Sequence, residues 1–347
     1  AVARLRAAGA ALVGHTNLSE FAFSGVGLNP HHGTPANPAT AALDDQPRIP
    51  GGSTSGGAVS VALGIAWAAL GSDTGGSLRI PAALTGLVGF KSSQSLVPRQ
   101  GMLPLAPTLD TAGAITRSVR DALALHELLA ARPLALPPRP AAGWRLALPT
   151  TLLTDGMDGP VAAAFERALG RLRAAGMQVD ELALPPLAEL AALNAQGGFA
   201  AAESWAWHRA RLAVRGDAYD PRVAQRIRRG AAIGAADYID LLHARADWIR
   251  RVMALLAPYD AALAPTVPIV APPIAALEAD DETFFAANAL LLRNPSVVNF
   301  LDGCAISLPC HAAGGWPAGL MLFGPGGADA RVLAAAQAAE AALAGQD

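Results

Sequence analysis

Two hydrophobic rhythms alternate along this chain of 347 residues. Short apolar runs bounded by Gly, Pro or Asn read as strands at Ala11 to Gly14, Leu84 to Lys91 (LTGLVGFK), Trp144 to Pro149, Met177 to Leu184, Asp260 to Thr266 and Ala318 to Phe323, while Asp110 to Thr116 is expected to cross the core. Helical stretches are Ala1 to Ala8, stopped by Gly9, and a segment capped by Asn17 with Glu20 at its third position. Others are the thirteen-residue, almost wholly apolar run from Ala58 to Leu70, a helix opened by Ser118 and Asp121 and running to about Ala131, and Val161 to Ala175. Most of residues 186–257, a helix near Pro295 to Leu301, and Asp329 to Ala344 complete the set. Strands alternating with helices predict an α/β fold, with a largely parallel or mixed twisted central sheet covered by helices on both faces. Residues 24–46, rich in Gly, Pro, Asn and His, read as loop, and Pro133 to Pro140, with four prolines, is the best linker candidate. The helical 186–257 region reads as an insertion placed to wall a site.

Composition narrows the function classes. A hydrophobic share of 52% with few aromatics suits a substantial core of small residues and excludes a disordered or fibrous chain. The net charge is −2, so no global field draws in nucleic acid or an anionic membrane, and a small molecule is the expected partner, with self-association left open. The arginines from Arg209 to Arg229 are interrupted by Asp217 and Asp220 and read as a solvated helix face. Cys304 and Cys310, in DGCAISLPC, lack a second pair for a zinc site and are expected to be reduced and buried. The adjacent His31 and His32 diverge, and read as surface or cleft wall. Nothing calls for a metal or cofactor. No apolar run reaches the roughly 20 residues of a membrane span, Ala1 to Gly9 has no signal-peptide core, and the cytoplasm is the default location. Lys91 is the only lysine, and the chain opens on Ala1 in what reads as the last turns of a helix; both lead to the expectation of a missing N-terminal part.

Candidate chemistry concentrates between Gly51 and Pro81. Two Gly/Ser-rich loops, GGSTSGG and GSDTGGS, flank the Ala58 to Leu70 run and place Ser53 and Ser77 24 residues apart. The small residues of Thr74, Gly75, Gly76 and Ser77 allow successive N–H groups to converge on one point, as an oxyanion hole requires. Asp73 and Arg79 flank this turn and are placed to pair beneath it as braces. Pro81 suits the first turn of a helix following Ser77, where the local positive potential favours a nucleophile. Either loop alone has the composition of an ordinary linker. Neither is a Walker loop, and the G-x-S-x-G elbow fails at Ser55.

Together, however, GGSTSGGA, GSDTGGSLRIPA, GLVGFK and LPLAPTLDTAGAITRS, with Asp110, Gly113 and Arg117, closely resemble the amidase signature family. The likeness extends upstream to GHTNLSEFAFSGVGLNPHHGTPANP and downstream to DAALAPTVP and GWPAGLMLFGP, covering nearly the whole chain. It implies an amidase signature fold and a Ser-cisSer-Lys hydrolase that cleaves a carboxamide C–N bond through an acyl-serine. Ser77 would be the nucleophile, Ser53 the proton relay, Thr74 to Ser77 the oxyanion hole, and a neutral lysine the base. No cofactor is implied. Position 54 is Thr where the family usually has Ser or Gly. The family's lysine falls before Ala1, Lys91 matches a different and structural position, and His15, where many relatives carry Lys, is not assigned a base role. Residues 1–347 are thus expected to be a single amidase signature domain without its lysine-bearing segment, and impaired on that account. Two alternatives stay open. One is the glutamine-hydrolysing A subunit of a tRNA-dependent amidotransferase, and the other a noncatalytic binding protein or scaffold on the same fold.

Overall fold

On the central strands, successive side chains point to opposite faces, and here both faces are apolar. The computed structural model describes residues 1–344. Eight strands, β1 (Ala69–Ser72), β2 (Val88–Lys91), β3 (Ala112–Thr116), β4 (Arg145–Pro149), β5 (Gln178–Leu182), β6 (Ala261–Pro265), β7 (Cys304–Pro309) and β8 (Gly319–Gly324), form one sheet in the order β1-β3-β2-β7-β8-β6-β4-β5. The α-helices are α1 (Val2–Ala7), α2 (Ser55–Ala62), α3 (Arg79–Thr85), α4 (Val119–Ala130), α5 (Gly159–Ala174), α6 (Leu190–Leu193), α7 (Gly198–Arg215), α8 (Pro221–Arg228), α9 (Ala235–Leu256), α10 (Ile274–Ala279), α11 (Asp281–Phe300) and α12 (Asp329–Ala344).

One sheet face sends Leu146, Leu263, Ile306 and Leu322 into a core shared with Val119 of α4, Phe165 and Leu169 of α5, and Val332 of α12. The residues between them, Ala147, Ala262, Ala305 and Met321, meet Phe199 of α7, Trp248 and Val252 of α9, and Val298 of α11 on the other face. Helices on both faces of a mixed sheet are what the strand and helix pattern predicts. The parallel share is smaller than a βαβ reading suggests. Among the described residues only β4 pairs in parallel, with β5 and with β6, while every other neighbouring pair is antiparallel. Parallel pairing needs a long crossover, such as α5 between β4 and β5, whereas β7 and β8 are joined by a short loop that only antiparallel strands allow.

Several local expectations change. Ala11 to Gly14 is not a buried strand: it is unpaired and open to solvent, with Val13 73% exposed. The edge position beside β3 is taken by β1 instead. Asn17 caps no helix; its Oδ1 accepts from Leu18 N, and the short 3-10 turn Glu20–Ala22 begins after Ser19. Glu20 does not reach back because its carboxylate accepts from Asp220 N at 2.6 Å. The Ala58 to Leu70 run is not one helix. It ends at Ala62, turns at Gly64 with φ +71°, and delivers Ala69 and Leu70 to β1. The helix near Pro295 is the last part of the 20-residue α11, which carries that proline internally. Strand β7 lies in the DGCAISLPC segment, where the sequence pattern predicts none, and Pro133 to Pro140 joins two parts of the same sheet. Ser118 does cap α4, its Oγ accepting from Asp121 N at 3.1 Å.

Both cysteines are free and buried. Burial pushes both thiols up, Cys310 to about 12, so little thiolate exists at neutral pH. A thiol-specific disulfide reagent at pH 8 is expected to leave both unmodified in the folded protein and to modify both in denaturant; rapid native labelling of either would contradict their placement. No helix among the described residues is long and apolar enough to cross a membrane.

Candidate active site

The two Gly/Ser loops meet because α2 and α3 each start from one of them. The first loop, Gly51 to Thr54, leads into α2, and the second, Asp73 to Leu78, connects β1 to α3. Thr54 N donates to Ser77 O at 3.3 Å, and Ser19 N donates to Ser53 O at 3.1 Å. The two loops are therefore in contact through Thr54 and Ser77, with Ser53 and Ser77 both buried; Ser77 lines the cavity described below, and Ser53 is not among its lining residues. The Gly52–Ser53 peptide bond is cis. Glycine is required on steric grounds in both loops. A Cβ on Gly52 would stand 2.6 Å from Gly27 N, and one on Gly76, whose φ is +129°, 2.6 Å from Pro295 Cβ.

Asp73 organises the second loop from below. Its Oδ1 accepts from Gly76 N (2.9 Å), Arg79 Nη2 (2.8 Å) and Asn299 Nδ2 (3.0 Å), and its Oδ2 from Arg79 Nε (3.0 Å) and Leu78 N (3.3 Å). Asp73 and Arg79 are both wholly buried. Burial alone raises the Asp73 carboxyl, but Arg79 outweighs it, and the group is held below the usual carboxylate range. Arg79 further donates to Asn299 Oδ1 at 2.6 Å and Pro295 O at 3.1 Å. Thr74 Oγ1 donates to Asp110 Oδ1 at 2.6 Å, and Asp110 in turn accepts from Leu105 N and Ala106 N.

Of the four backbone N–H groups from Thr74 to Ser77, that of Gly76 is thus committed to Asp73. Those of Thr74, Gly75 and Ser77 have no acceptor among the described residues. These three residues open onto a cavity of about 500 Å³, whose walls are mostly apolar, with Leu105, Phe199 and Leu292 among them. Lys91 does not line it: its ammonium donates to Gly303 O (2.6 Å) and Ser92 O (3.1 Å), and burial pushes its pKa down to about 8. His15, His31 and His32 are exposed.

Some site residues escape sequence reasoning. Asn299, which ties α11 to the Asp73 and Arg79 pair, stands more than 200 residues from them and carries no local motif. Arg226 belongs to the arginine run that reads as a solvated face. Arg209, Arg211, Arg215, Arg228 and Arg229 are indeed exposed, but Arg226 turns inward, stacks on Phe23 and lines the cavity. Its position beside Val223, Ala224 and Ile227 on the buried side of α8 is a usable signal.

Two serine-bearing loops in contact beside an apolar cavity, set on an eight-stranded mixed sheet, form the candidate active site. The family model for Amidase matches residues 1–333, and the chain belongs to the amidase family, hydrolases that act on amide C–N bonds. It is 38% identical over 350 residues to 2-amino-5-chloromuconic acid deaminase of Comamonas testosteroni, covering 99% of this chain and 74% of that one. It is 34% identical over 368 residues to the A subunit of the Glutamyl-tRNA(Gln) amidotransferase of Symbiobacterium thermophilum, covering 96% and 74%. A crystal structure of an amidase superposes with a TM-score of 0.86 at 35% identity, over 98% of this chain and 76% of the other.

Proposed function

We propose that the protein hydrolyses a small carboxamide through an acyl intermediate on Ser77. The observation that carries this is the contact of the two serine loops, with Thr54 N bonded to Ser77 O next to Ser53, and three N–H groups between Thr74 and Ser77 without an acceptor among the described residues. Ser77 Oγ attacks the carbonyl carbon while its proton passes to Ser53 Oγ, whose own proton moves to a base. The oxyanion is stabilised by the N–H groups of Thr74, Gly75 and Ser77, the C–N bond breaks as the amine takes a proton through Ser53, and water then releases the acid. Asp73 and Arg79 brace the loop. Lys91 is engaged elsewhere and there is no second lysine, so the reading makes full turnover depend on a base that these 347 residues do not supply. Near-normal amidase activity from residues 1–347 alone would refute that part.

The relatives include A subunits of Glutamyl-tRNA(Gln) amidotransferases, and the alternative reading is glutamine hydrolysis, but no Asp or Glu among the described residues lines the cavity to pair with the α-ammonium of glutamine. Ammonia release from glutamine is accordingly expected to be at least about tenfold poorer in kcat/KM than from simple amides of similar length. The reading itself is tested by treating the protein, as its gene encodes it, with a fluorophosphonate serine probe and by assaying a panel of amides. Labelling of the peptide containing Ser77, and Ser77-dependent hydrolysis, are expected; neither labelling nor turnover would overturn it and favour a binding role.

A further inference from the structure

The short span from Ser19 to Gly25 holds the backbone of the first serine loop at both of its ends. Ser19 N donates to Ser53 O at 3.1 Å, and Gly52 N donates to Gly25 O at 2.8 Å. How far apart those ends stand is set by the turn between them. Within that turn Phe21 (φ +50°) and Ala22 (φ +59°) are successive residues in the left-handed region. That conformation costs a residue with a side chain energy which the surrounding structure must supply.

The supply comes from α7, α8 and the segment joining them. The Phe21 ring packs on the His208 ring of α7, with centroids 4.4 Å apart, and on the Tyr219 ring at 5.2 Å. His208 Nδ1 and the Tyr219 hydroxyl are themselves hydrogen-bonded at 2.9 Å, and both residues are buried. On either side of Phe21, the Glu20 carboxylate accepts from Asp220 N at 2.6 Å and Arg226 donates to Phe23 O. Ala22, Phe23 and Ser24 line the cavity, but Phe21 does not. Its ring therefore acts on the turn and not on a substrate.

We propose that Phe21 is a positioning residue for Ser53. Docked on His208 and Tyr219, its ring locks the left-handed turn, and the turn holds Gly52 and Ser53 where the Ser53 hydroxyl passes a proton to the departing amine. The helical 186–257 region thus does more than wall the cavity: it fixes the geometry of a loop far from it in the sequence.

This inference rests on the amidase reading, with Ser53 as the relay, and its test separates the two. The values of kcat and KM for an amide and for the matching p-nitrophenyl ester are measured on the protein as its gene encodes it. Rates are taken per active site, counted by exhaustive fluorophosphonate labelling, so that unfolded molecules do not enter. In Phe21→Leu the amide kcat is expected to fall about 10- to 100-fold, the scale of a displacement of about 1 Å at a reacting group, and the ester kcat to fall several-fold less. The amide KM should stay within about twofold, because Phe21 is not part of the cavity wall. His208→Gln keeps a hydrogen-bonding partner for Tyr219 but offers Phe21 no ring. It should shift the amide-to-ester ratio in the same direction, and it carries the test alone if Phe21→Leu does not fold. The double variant should lose no more than the worse single one, since both act through one contact. An unchanged amide-to-ester ratio in the folded variants overturns the proposal, as does a loss expressed in KM with kcat intact, or a fully additive loss in the double variant. Absence of Ser77-dependent turnover in the parent removes the amidase reading and this inference with it, whereas parent turnover with an unchanged ratio in the variants removes this inference alone.

Discussion

Ser77→Ala is expected to lower amide turnover by roughly 10⁴-fold or more, because nothing else at the loop can form the acyl intermediate. The residual rate would come from binding and the backbone N–H groups at positions 74, 75 and 77, which the substitution leaves in place. Ser53→Ala separates the second serine's task from the first's. An amine leaves only if protonated, and in the proposed reaction that proton arrives through Ser53; a nitrophenolate leaves without one. Ser53→Ala should therefore cost roughly 10² to 10⁴ on an amide and less on the matching p-nitrophenyl ester, which keeps its easy leaving group but still loses the relay that takes the Ser77 proton. Ser77→Ala should depress both substrates alike. Parallel kcat/KM measurements on amide and ester check this. Equal losses on the two substrates in Ser53→Ala would deny it a role in leaving-group protonation, and wild-type turnover in Ser77→Ala would end the acyl-serine reading.

The contrast between what could and could not be read from the sequence follows contact range. Ser53, Ser77, Asp73 and Arg79 lie within one 31-residue stretch, so that loop chemistry, a connecting helix and a proline at the start of α3 suffice to bring them to attention. Arg79 and Asp73 form the pair their spacing suggests. The walls of the cavity have no such local signature. Asn299, Arg226 and Arg293 reach it from α8 and α11 through tertiary packing, and Arg226 is set apart from the exposed arginines only by its spacing beside Val223, Ala224 and Ile227. Strand β7 is illegible for a related reason. It is the fourth of eight strands, covered on both faces, and its run, apolar but for Ser307, lacks the alternation that marks a half-exposed strand. The Ala58 to Leu70 run shows the opposite failure. Its hydrophobicity suits one helix throughout, yet Leu63, Ile65 and Trp67 end up exposed because Gly64 redirects the chain into β1. Pro295 misleads in the same way, since α11 continues through a residue that ends most helices.

Arg79→Met should be the most damaging single change to stability, since it leaves the Asp73 carboxylate at zero exposure without its counter-charge. Breaking a buried pair from one side costs about 3–5 kcal/mol, and the unfolding midpoint should fall by several degrees. The pH dependence gives the mechanism away. In the parent the Asp73 pKa lies below its unfolded value of about 3.9, so the pair's contribution is complete above that value and is lost as pH falls through the lower folded pKa. Without Arg79, burial becomes the dominant influence and the carboxyl rises above about 3.9. Its penalty is then greatest at neutral pH and relieved as protonation proceeds, so the stability gap between parent and variant should narrow from pH 7 toward pH 4. Asp73→Asn combined with Arg79→Met should recover part of the loss, because no unpaired charge remains. A gap that is constant with pH would mean that Arg79 acts through packing against Pro295 and Met321 rather than through charge. The same variant should also slow acylation of Ser77, because Gly76 N–H, Leu78 N–H and Arg79 hold the loop from the one carboxylate. A loop released from Asp73 no longer presents the N–H groups of Thr74, Gly75 and Ser77 to a common point, so stability and acylation are expected to fall together in this variant.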